Sequence, residues 1–414
     1  MRFVVVVLSF LLTGPLAAQS AFRLTGVASA RAAYATGQQS WLNGGFGRMD
    51  IGATGARENH SDFLGSLQLG ADWTPTQWFD AHVSGVARRD ADGAKGKRAG
   101  LIEGYVDFRA GDLQLRAGEF FLPTSRENKE ELWTSPYTMT LSAWNSWIAQ
   151  EVRPIGVDLE WKHLGSTVAT TLAATAFKGN DAMGSELAWR GWTVGNRISV
   201  HNEVLPLPPL FSLNDPRMFG ANQRDDGTLP IGRDLDGRIG YSARFRVSLP
   251  ERGMLQFARV DNRGDRRLHG NGEYGEYSWA TRFNVVSGEL GNRDATILAA
   301  EYGYGNTGMG FAPDARVQMS FYSGYVLLSR KVSRMRYSAR FDTFATEDHD
   351  HSIAETNTEH GRSWTFAVFY EHDEHLRTGL ELVNVTGARR AAEESGFDPN
   401  TDGRTLTAEM RYRF

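Results

Sequence analysis

Residues 404–414 read RTLTAEMRYRF, and their side chains alternate between two chemical classes. Every second position from Leu406 to Phe414 is apolar, and the positions between carry threonine, glutamate and arginine. Successive side chains of a β-strand point to opposite faces, so this alternation predicts a strand with one apolar and one charged face. Such a pairing of faces is expected where a strand has lipid on one side and water on the other.

The same period-2 alternation recurs in about sixteen segments of the chain. In one of them Tyr241, Phe245 and Val247 alternate with serines and arginines. The predicted strands are residues 22–35, 62–73, 76–90, 98–110, 112–122, 153–162, 166–177, 236–249, 253–263, 274–287, 292–305, 314–328, 334–346, 362–373, 375–388 and 404–414.

The connections between these segments alternate in length. Tight turns follow the even-numbered strands, whereas longer loops follow most odd-numbered strands, with 123–152 and 178–235 the longest. This segregation is typical of bacterial outer-membrane barrels, and a soluble β-sandwich gives no reason for it. We therefore predict an all-β fold: a transmembrane antiparallel β-barrel of about 16 strands with short periplasmic turns and long external loops. Eighteen strands are the alternative, if 44–55 and parts of 186–200 also pair.

The composition and the N-terminal residues indicate where the protein is located and exclude some kinds of chemistry. Residues 1–18 combine Arg2, an apolar run and small residues, as in a secretory signal peptide, so we expect 19–414 to form a single transmembrane β-barrel domain. The chain has no cysteine, which excludes disulfides and thiolate chemistry. A formal net charge of −4 argues against a nucleic-acid partner, and no cofactor is indicated.

Two short stretches resemble known families. The aromatic end formed by Tyr412 and Phe414 resembles the C-terminal signal of bacterial outer-membrane proteins. That resemblance implies recognition by the periplasmic barrel-assembly machinery. It also implies a place in the outer membrane of a Gram-negative bacterium, among lipid and lipopolysaccharide. Residues 118–127 (GEFFLPTSRE) resemble a pattern of the phosphate-selective porin O and P family, Gly-x-Phe-x-x-Pro-x-Ser-x-Glu. The phosphate site of that family rests on lysines and arginines, but the six lysines here form no lysine-rich funnel.

Porins of this architecture fold their third external loop into the lumen, and 123–152 is the third such connection here. This connection is too aromatic for a solvated loop and must pack against something. Its predicted anchor to the wall consists of Trp133, Leu141, Trp144, Trp147 and Ile148. The predicted pore constriction combines loop charges with wall arginines taken to point inward: Arg126, Glu127, Lys129, Glu130, Glu131, Arg244, Arg246, Arg282, Arg336 and Arg340. A basic wall opposite an acidic loop orients dipolar solutes; the alternative is a paired ladder that only stiffens the wall.

These features favour a porin for passive diffusion of small polar or anionic solutes, assembled as a homotrimer. The alternative is a barrel plugged by 123–152 and 178–235 that serves as a surface adhesin or ligand-binding protein. An enzyme is not indicated, because no hydrolase signature appears at a recognisable spacing. Residues 348–351 (DHDH) carry metal-ligand residue types without ordered spacing, so a solvated polar loop is expected there rather than a metal site.

Overall fold

The structure, a computed structural model, describes residues 21–53, 58–220, 227–270, 275–312, 315–350, 352 and 355–414. The predicted signal peptide, 1–18, lies outside these ranges, as does position 351 of the histidine-containing loop. Sixteen strands form one closed antiparallel barrel, which confirms the predicted fold class. Among the described residues, no helix is long and apolar enough to cross a membrane.

The barrel strands are β1–β9 and β12–β18, and β10 with β11 forms a separate two-stranded hairpin. In chain order the strands are β1 Phe22–Gly37, β2 His60–Thr76, β3 Phe79–Arg89, β4 Ala99–Ala110, β5 Leu113–Glu119, β6 Ile155–Leu164, β7 Ala169–Lys178, β8 Gly240–Leu249, β9 Gly253–Asp261, β10 Leu268–His269, β11 Glu276–Tyr277, β12 Ala280–Gly291, β13 Thr296–Gly310, β14 Arg316–Val332, β15 Met335–Asp348, β16 Glu359–Glu371, β17 Leu376–Arg389 and β18 Gly403–Arg413. The helices are α1 Ala143–Glu151, α2 Ser185–Trp189, α3 Phe211–Asn214 and α4 Arg390–Glu394, with 3₁₀ turns at Trp41–Asn43 and Glu131–Trp133.

The two ends of the barrel differ in the length of their connections. The turns that follow the even-numbered barrel strands from β2 to β16 have two to four residues, and the long connections all lie at the other end. We call these the short-turn end and the long-loop end. The predicted strand 274–287 is displaced to Ala280–Gly291, because Glu276–Tyr277 belongs to the separate hairpin.

The barrel closes between its first and last strands. In the β1–β18 pairing Val27 lies opposite Arg413, and one step beyond, Gly26 and Phe414 exchange two backbone hydrogen bonds of 2.8 and 3.0 Å. A Cβ on Gly26 would lie 2.1 Å from the Phe414 ring, so only glycine leaves room for the aromatic side chain at this seam.

The outer face of the wall is apolar. Large side chains on it are exposed on every barrel strand, including Leu24, Leu69, Val83, Phe108, Leu115, Leu159, Leu172, Phe245, Phe257, Val286, Leu298, Val326, Tyr337, Phe366, Leu380 and Leu406. In water such a belt would be costly, whereas contact with lipid makes it favourable. The buried core of the molecule lies inside the barrel.

Candidate functional site in the barrel lumen

The connection between β5 and β6, residues 120–154, folds into the lumen. Its helix α1 begins after Ser142, whose hydroxyl accepts a hydrogen bond from the Asn145 backbone N–H (3.1 Å). This is the N-cap arrangement that satisfies a free donor of the first turn. All nine residues of α1 are buried, which is possible for so short a helix only because the wall of β14 and β15 and other loops surround it.

Five aromatic side chains pack together inside the barrel, against β12 and β14. We call Trp144, Trp147, Trp192, Phe283 and Phe321 the aromatic cluster; the ring centroids of neighbouring members are 5.2 to 6.2 Å apart. Most of the pairs meet edge to face, a geometry favoured by the ring quadrupoles. A Cβ on Gly303 of β13 would lie 2.2 Å from the Trp144 ring, so glycine there lets the indole reach the wall backbone.

The predicted loop anchor packs in one core. Leu141, Trp144, Trp147 and Ile148 are buried members of that core. Trp133 packs at its edge, half-buried and stacked on the core residue Phe121 with ring centroids 4.3 Å apart.

Arg340 of β15 binds the loop at a fully buried position. Its guanidinium contacts Glu127 Oε1 at 2.7 Å and Asp342 Oδ2 at 3.0 Å, and all three side chains are shielded from solvent. It also donates to the carbonyl oxygens of Thr140 (2.7 Å) and Leu141 (2.9 Å). Arg340 and Glu127, both predicted at the constriction, therefore meet each other. A buried pair of this kind holds its partners firmly, because removing one leaves an uncompensated charge.

Wall carboxylates complete the attachment by accepting from the loop. Glu381 accepts from the backbone N–H groups of Met139 (2.6 Å) and Thr140 (3.0 Å). Glu301 accepts from Asn145 Nδ2 (2.7 Å) and from the Arg126 N–H (3.0 Å). These contacts satisfy backbone donors that an irregular loop would otherwise leave unpaired inside the barrel.

The other predicted loop charges lie nearer the short-turn end, each against a wall residue of opposite sign. Lys129 contacts Glu289 at 2.8 Å, Glu130 contacts Arg413 at 2.5 Å and Glu131 contacts Arg23 at 3.1 Å. Burial, reinforced by repulsion from Arg126, lowers the pKa of Lys129.

The wall arginines of the predicted constriction do not form one facing row. Arg244 pairs with Asp158 (2.7 Å), and Arg246 donates to Gln256 (2.8 Å) and to the Pro123 carbonyl (3.1 Å). Arg336 donates to the Arg293 carbonyl in the β12–β13 turn (2.9 Å). The constriction residues are thus spread along the lumen.

Among the wall arginines of the predicted constriction, Arg282 is the one whose side chain lies on the outer face of the barrel. It is exposed on the outer face of β12, while its neighbours Thr281 and Phe283 are buried inside. The prediction that Arg282 points inward is wrong, because it assumed a water-filled lumen in which charges face inward. Here the lumen next to β12 holds Trp144 and Trp147, so apolar side chains face inward and the arginine faces outward.

A second connection, between β7 and β8, also enters the lumen. Besides placing Trp192 in the aromatic cluster, it joins helix α1 through Glu151. That carboxylate accepts from Trp147 Nε1 (2.7 Å), Ser185 Oγ (2.7 Å) and the backbone N–H groups of Gly184 and Glu186 (2.9 and 2.8 Å). We call 120–154 and the described part of 179–239 the lumen plug.

Two buried carboxylates lie close together in the plug. Burial raises the pKa of Glu151 above its ordinary value, although four donors oppose the shift. Burial, together with repulsion from Glu151, raises the pKa of Glu186 to about 8 against the attraction of Arg190.

Several residues whose ion pairs join the loops to the wall or to each other were not predicted from the sequence. Glu359 of β16 contacts Arg48 and Arg389 and accepts from the Trp192 N–H (3.1 Å), which ties the first loop, the wall and the plug together. Arg197 contacts Glu203, as well as Asp90 of the second loop (2.7 Å). A weaker signal was available, because 178–235 carries four aromatic residues, including Trp189, Trp192 and Phe219, the same number as 123–152 in about twice the length.

An unfilled part of the lumen lies along β1–β4. A cavity of about 70 Å³ is lined there by Arg31, Arg88, Arg89 and Arg197, by Asp50 and Asp90, and by small polar side chains including Ser29, Ser66 and Gln68. Of these arginines, Arg88 and Arg197 are paired with Glu203, and Arg31 is paired with Glu409.

No family model and no curated protein matches this chain. Solved structures do resemble its fold. The outer membrane channel DcaP of Acinetobacter baumannii is 13% identical with a TM-score of 0.55, and the match covers 95% of this chain and 97% of that one. An anion-selective porin from Comamonas acidovorans is 8% identical with a TM-score of 0.50, and the match covers 95% of this chain and 99% of that one. OmpT of Vibrio cholerae in its trimer form is 8% identical with a TM-score of 0.50, covering 95% and 100%. At these identities the likeness establishes the barrel fold.

Proposed function

We propose that the chain is a channel of the outer membrane of a Gram-negative bacterium, through which small polar or anionic solutes diffuse passively. The apolar outer belt supports a membrane location, and the fold is that of proteins described as channels and porins. The observation that carries the proposal is the asymmetry of the lumen. Against β12–β17 the plug packs tightly, whereas along β1–β4 inward side chains such as Ser29, Arg31 and Gln68 remain partly exposed beside a polar cavity.

The partial exposure of Arg31 beside that cavity supports a preference for anions, because its partner Glu409 is almost fully buried. Glu409 fixes the Arg31 side chain through an ion pair of 2.8 Å, and that side chain is still 13% exposed. The guanidinium can therefore attract a passing solute, while its position in the lumen stays fixed. Guanidinium groups stay ionised at any physiological pH, which makes the local potential constant. A cavity of about 70 Å³ admits only a few water molecules at once, so the proposed pathway is narrow and passes small solutes slowly.

The proposal extends to assembly. The trimer described for the Vibrio cholerae barrel supports a homotrimer here. The outward aromatic pair Tyr412 and Phe414, with ring centroids 6.2 Å apart at the closing seam, suits recognition by the barrel-assembly machinery.

A planar-bilayer recording of the purified protein tests the function. We expect small, steady single-channel currents and, in a salt gradient, a reversal potential that favours chloride. Arg31→Gln removes one lumenal charge and shifts that potential toward zero. Arg362→Gln is the matched control, because Arg362 is exposed on the outer face of β16 and its loss leaves selectivity unchanged. Folded protein that carries no current, or a preference for cations, contradicts the proposal.

The second candidate is a plugged barrel that acts as a surface adhesin or ligand-binding protein. The observation in its favour is the extent of the plug, in which two long connections and the first loop interlock through buried ion pairs such as Arg48–Glu359 and Arg197–Glu203. Bilayers that stay closed, together with specific binding of the folded protein to a glycan array or to a host-cell surface, decide for this candidate over the channel.

A further inference from the structure

The outer face of β12–β14 changes character abruptly toward the long-loop end. Exposed Tyr302, Tyr304 and Tyr322 lie side by side there, with ring centroids 6.0 to 6.2 Å apart. Tyrosines of this kind mark the boundary between the acyl chains and the headgroups of a membrane. The next outward positions toward the long loops are polar: Arg282 and Asn306, which are joined by a hydrogen bond of 3.0 Å.

Three more arginines from the neighbouring loops come to this part of the wall. Arg263 and Arg266 both have positive φ (57° and 65°), a backbone conformation that costs free energy for a residue with a side chain. The guanidinium of Arg266 lies 3.5 Å from the position that a Cβ on Gly308 of β13 would take, on the outer face. Arg238 reaches the same place through a hydrogen bond from Nη1 to the Arg263 carbonyl (3.4 Å).

These arginines line a single cavity of about 550 Å³ that opens on the outer wall. Among the residues described there, the lining contains four arginines, His349 and one carboxylate, Asp261. Asp261 lies opposite Arg282 in the strand pairing, and its carboxylate accepts from the Arg263 backbone N–H (2.9 Å). The Nε of Arg266 is buried without a hydrogen-bond partner in the described part of the chain. The cavity therefore holds more positive charge than its own carboxylate offsets.

We propose that this cavity binds the phosphorylated headgroup of an outer-leaflet glycolipid, that is, of lipopolysaccharide. The guanidinium fork matches phosphate oxygens in geometry and charge. A lipid source fits better than a dissolved anion because the cavity adjoins the tyrosine row and the apolar belt, so a headgroup held there leaves its acyl chains against Val286 and Tyr302. This inference rests on the proposed outer-membrane location and does not depend on whether the lumen conducts.

The test uses the full-length protein, purified in detergent and freed of lipid, with native mass spectrometry as the readout. The probes are a bisphosphorylated lipid A, the same lipid after removal of its phosphates, and inorganic phosphate. The variant is Arg263→Gln/Arg266→Gln/Arg282→Gln. The matched control is Arg404→Gln, because Arg404 is an exposed outer-face arginine that donates Nε to Asn384 at 3.0 Å, as Arg282 does to Asn306.

We expect the bisphosphorylated lipid to bind the natural protein and the Arg404→Gln control equally, and the triple variant at least tenfold more weakly. The dephosphorylated lipid should bind all three proteins alike and weakly. Equal binding of both lipids, or no loss in the triple variant, overturns the proposal. Inorganic phosphate that binds as tightly as the lipid also overturns it, since the site would then serve a soluble anion. Conductance recorded on the same variants keeps this outcome separate from that of the channel proposal.

Discussion

Removal of the Trp144 side chain should release the lumen plug. Trp144 is completely buried, and its ring contacts Trp147, Trp192 and Phe283. Its Nε1 has no hydrogen-bond partner among the described residues, so Trp144→Ala removes packing and leaves no donor or acceptor without its partner. The substitution therefore isolates the contribution of the aromatic cluster.

The expected magnitude follows from burial. Truncation of a fully buried tryptophan to alanine costs about 3–5 kcal/mol. If the loss falls on docking of the plug, the released population rises roughly 10²- to 4 × 10³-fold, since about 1.4 kcal/mol corresponds to a factor of ten. Single-channel recordings should then show larger or noisier currents than those of the natural protein. Gly303→Ala should act in the same direction, because its Cβ would lie 2.2 Å from the Trp144 ring.

The control is a tryptophan on the other side of the wall. Trp364 is 44% exposed on the outer face of β16, so Trp364→Ala should leave the current unchanged. Heat-modifiable migration in gel electrophoresis shows whether each variant retains its barrel. If folded Trp144→Ala gives the same trace as Trp364→Ala, the aromatic cluster does not hold the plug and the reasoning fails.

Two further predictions concern the buried charges of the plug. Arg340→Met should lower the temperature at which the plug releases, measured by conductance or by heat-modifiable migration. The substitution leaves Glu127 and Asp342 without their cation, at a cost of about 3–5 kcal/mol. Adding Glu127→Gln should restore part of this loss, and a double variant no more stable than Arg340→Met would refute the pairing. Conductance should rise as the pH is raised from about 4.5, the ordinary pKa of Glu186, to about 8, its raised pKa in the docked plug. In this pH window the docked plug binds more protons than the released plug, so docking weakens as the pH rises. Glu186→Gln should flatten the dependence of conductance on pH. Glu393→Gln, a control at an exposed position on α4, should preserve it. If conductance depends equally on pH in both variants, another group is responsible for the pH dependence.

The barrel was predictable from the sequence because its strands obey a simple rule. Period-2 alternation and loop lengths that alternate with strand parity are set by lipid on one side of the wall and by hairpin geometry. Residues 404–414 and 236–249 show this rule clearly, and both are barrel strands. In the segment 44–55, considered as a possible extra strand, the described residues 44–53 form only isolated bridges in the first loop.

The content of the lumen was harder to predict. The rule that charges face inward holds where the lumen is wet, as at Arg31, and where a wall charge binds the loop, as at Arg340. It fails beside the aromatic cluster, where Phe283 faces inward and Arg282 faces outward. Which wall residues a loop will meet depends on contacts between positions far apart in the chain. The pairing of Glu127 with Arg340 spans 213 residues, and no periodicity within either segment indicates it.

That separation also sets an order of events in assembly. Residues 120–154 are made before the strands that supply Glu301, Arg340 and Glu381, so their main partners do not exist as a wall until β13, β15 and β17 have joined. Contacts between residues so far apart in the chain form late in folding, because closing the long intervening loop costs conformational entropy before the contact can stabilise the structure. The attachment of the loop is therefore complete only when β15 and β17 have joined the wall, so we expect the last step of loop insertion to coincide with completion of the barrel.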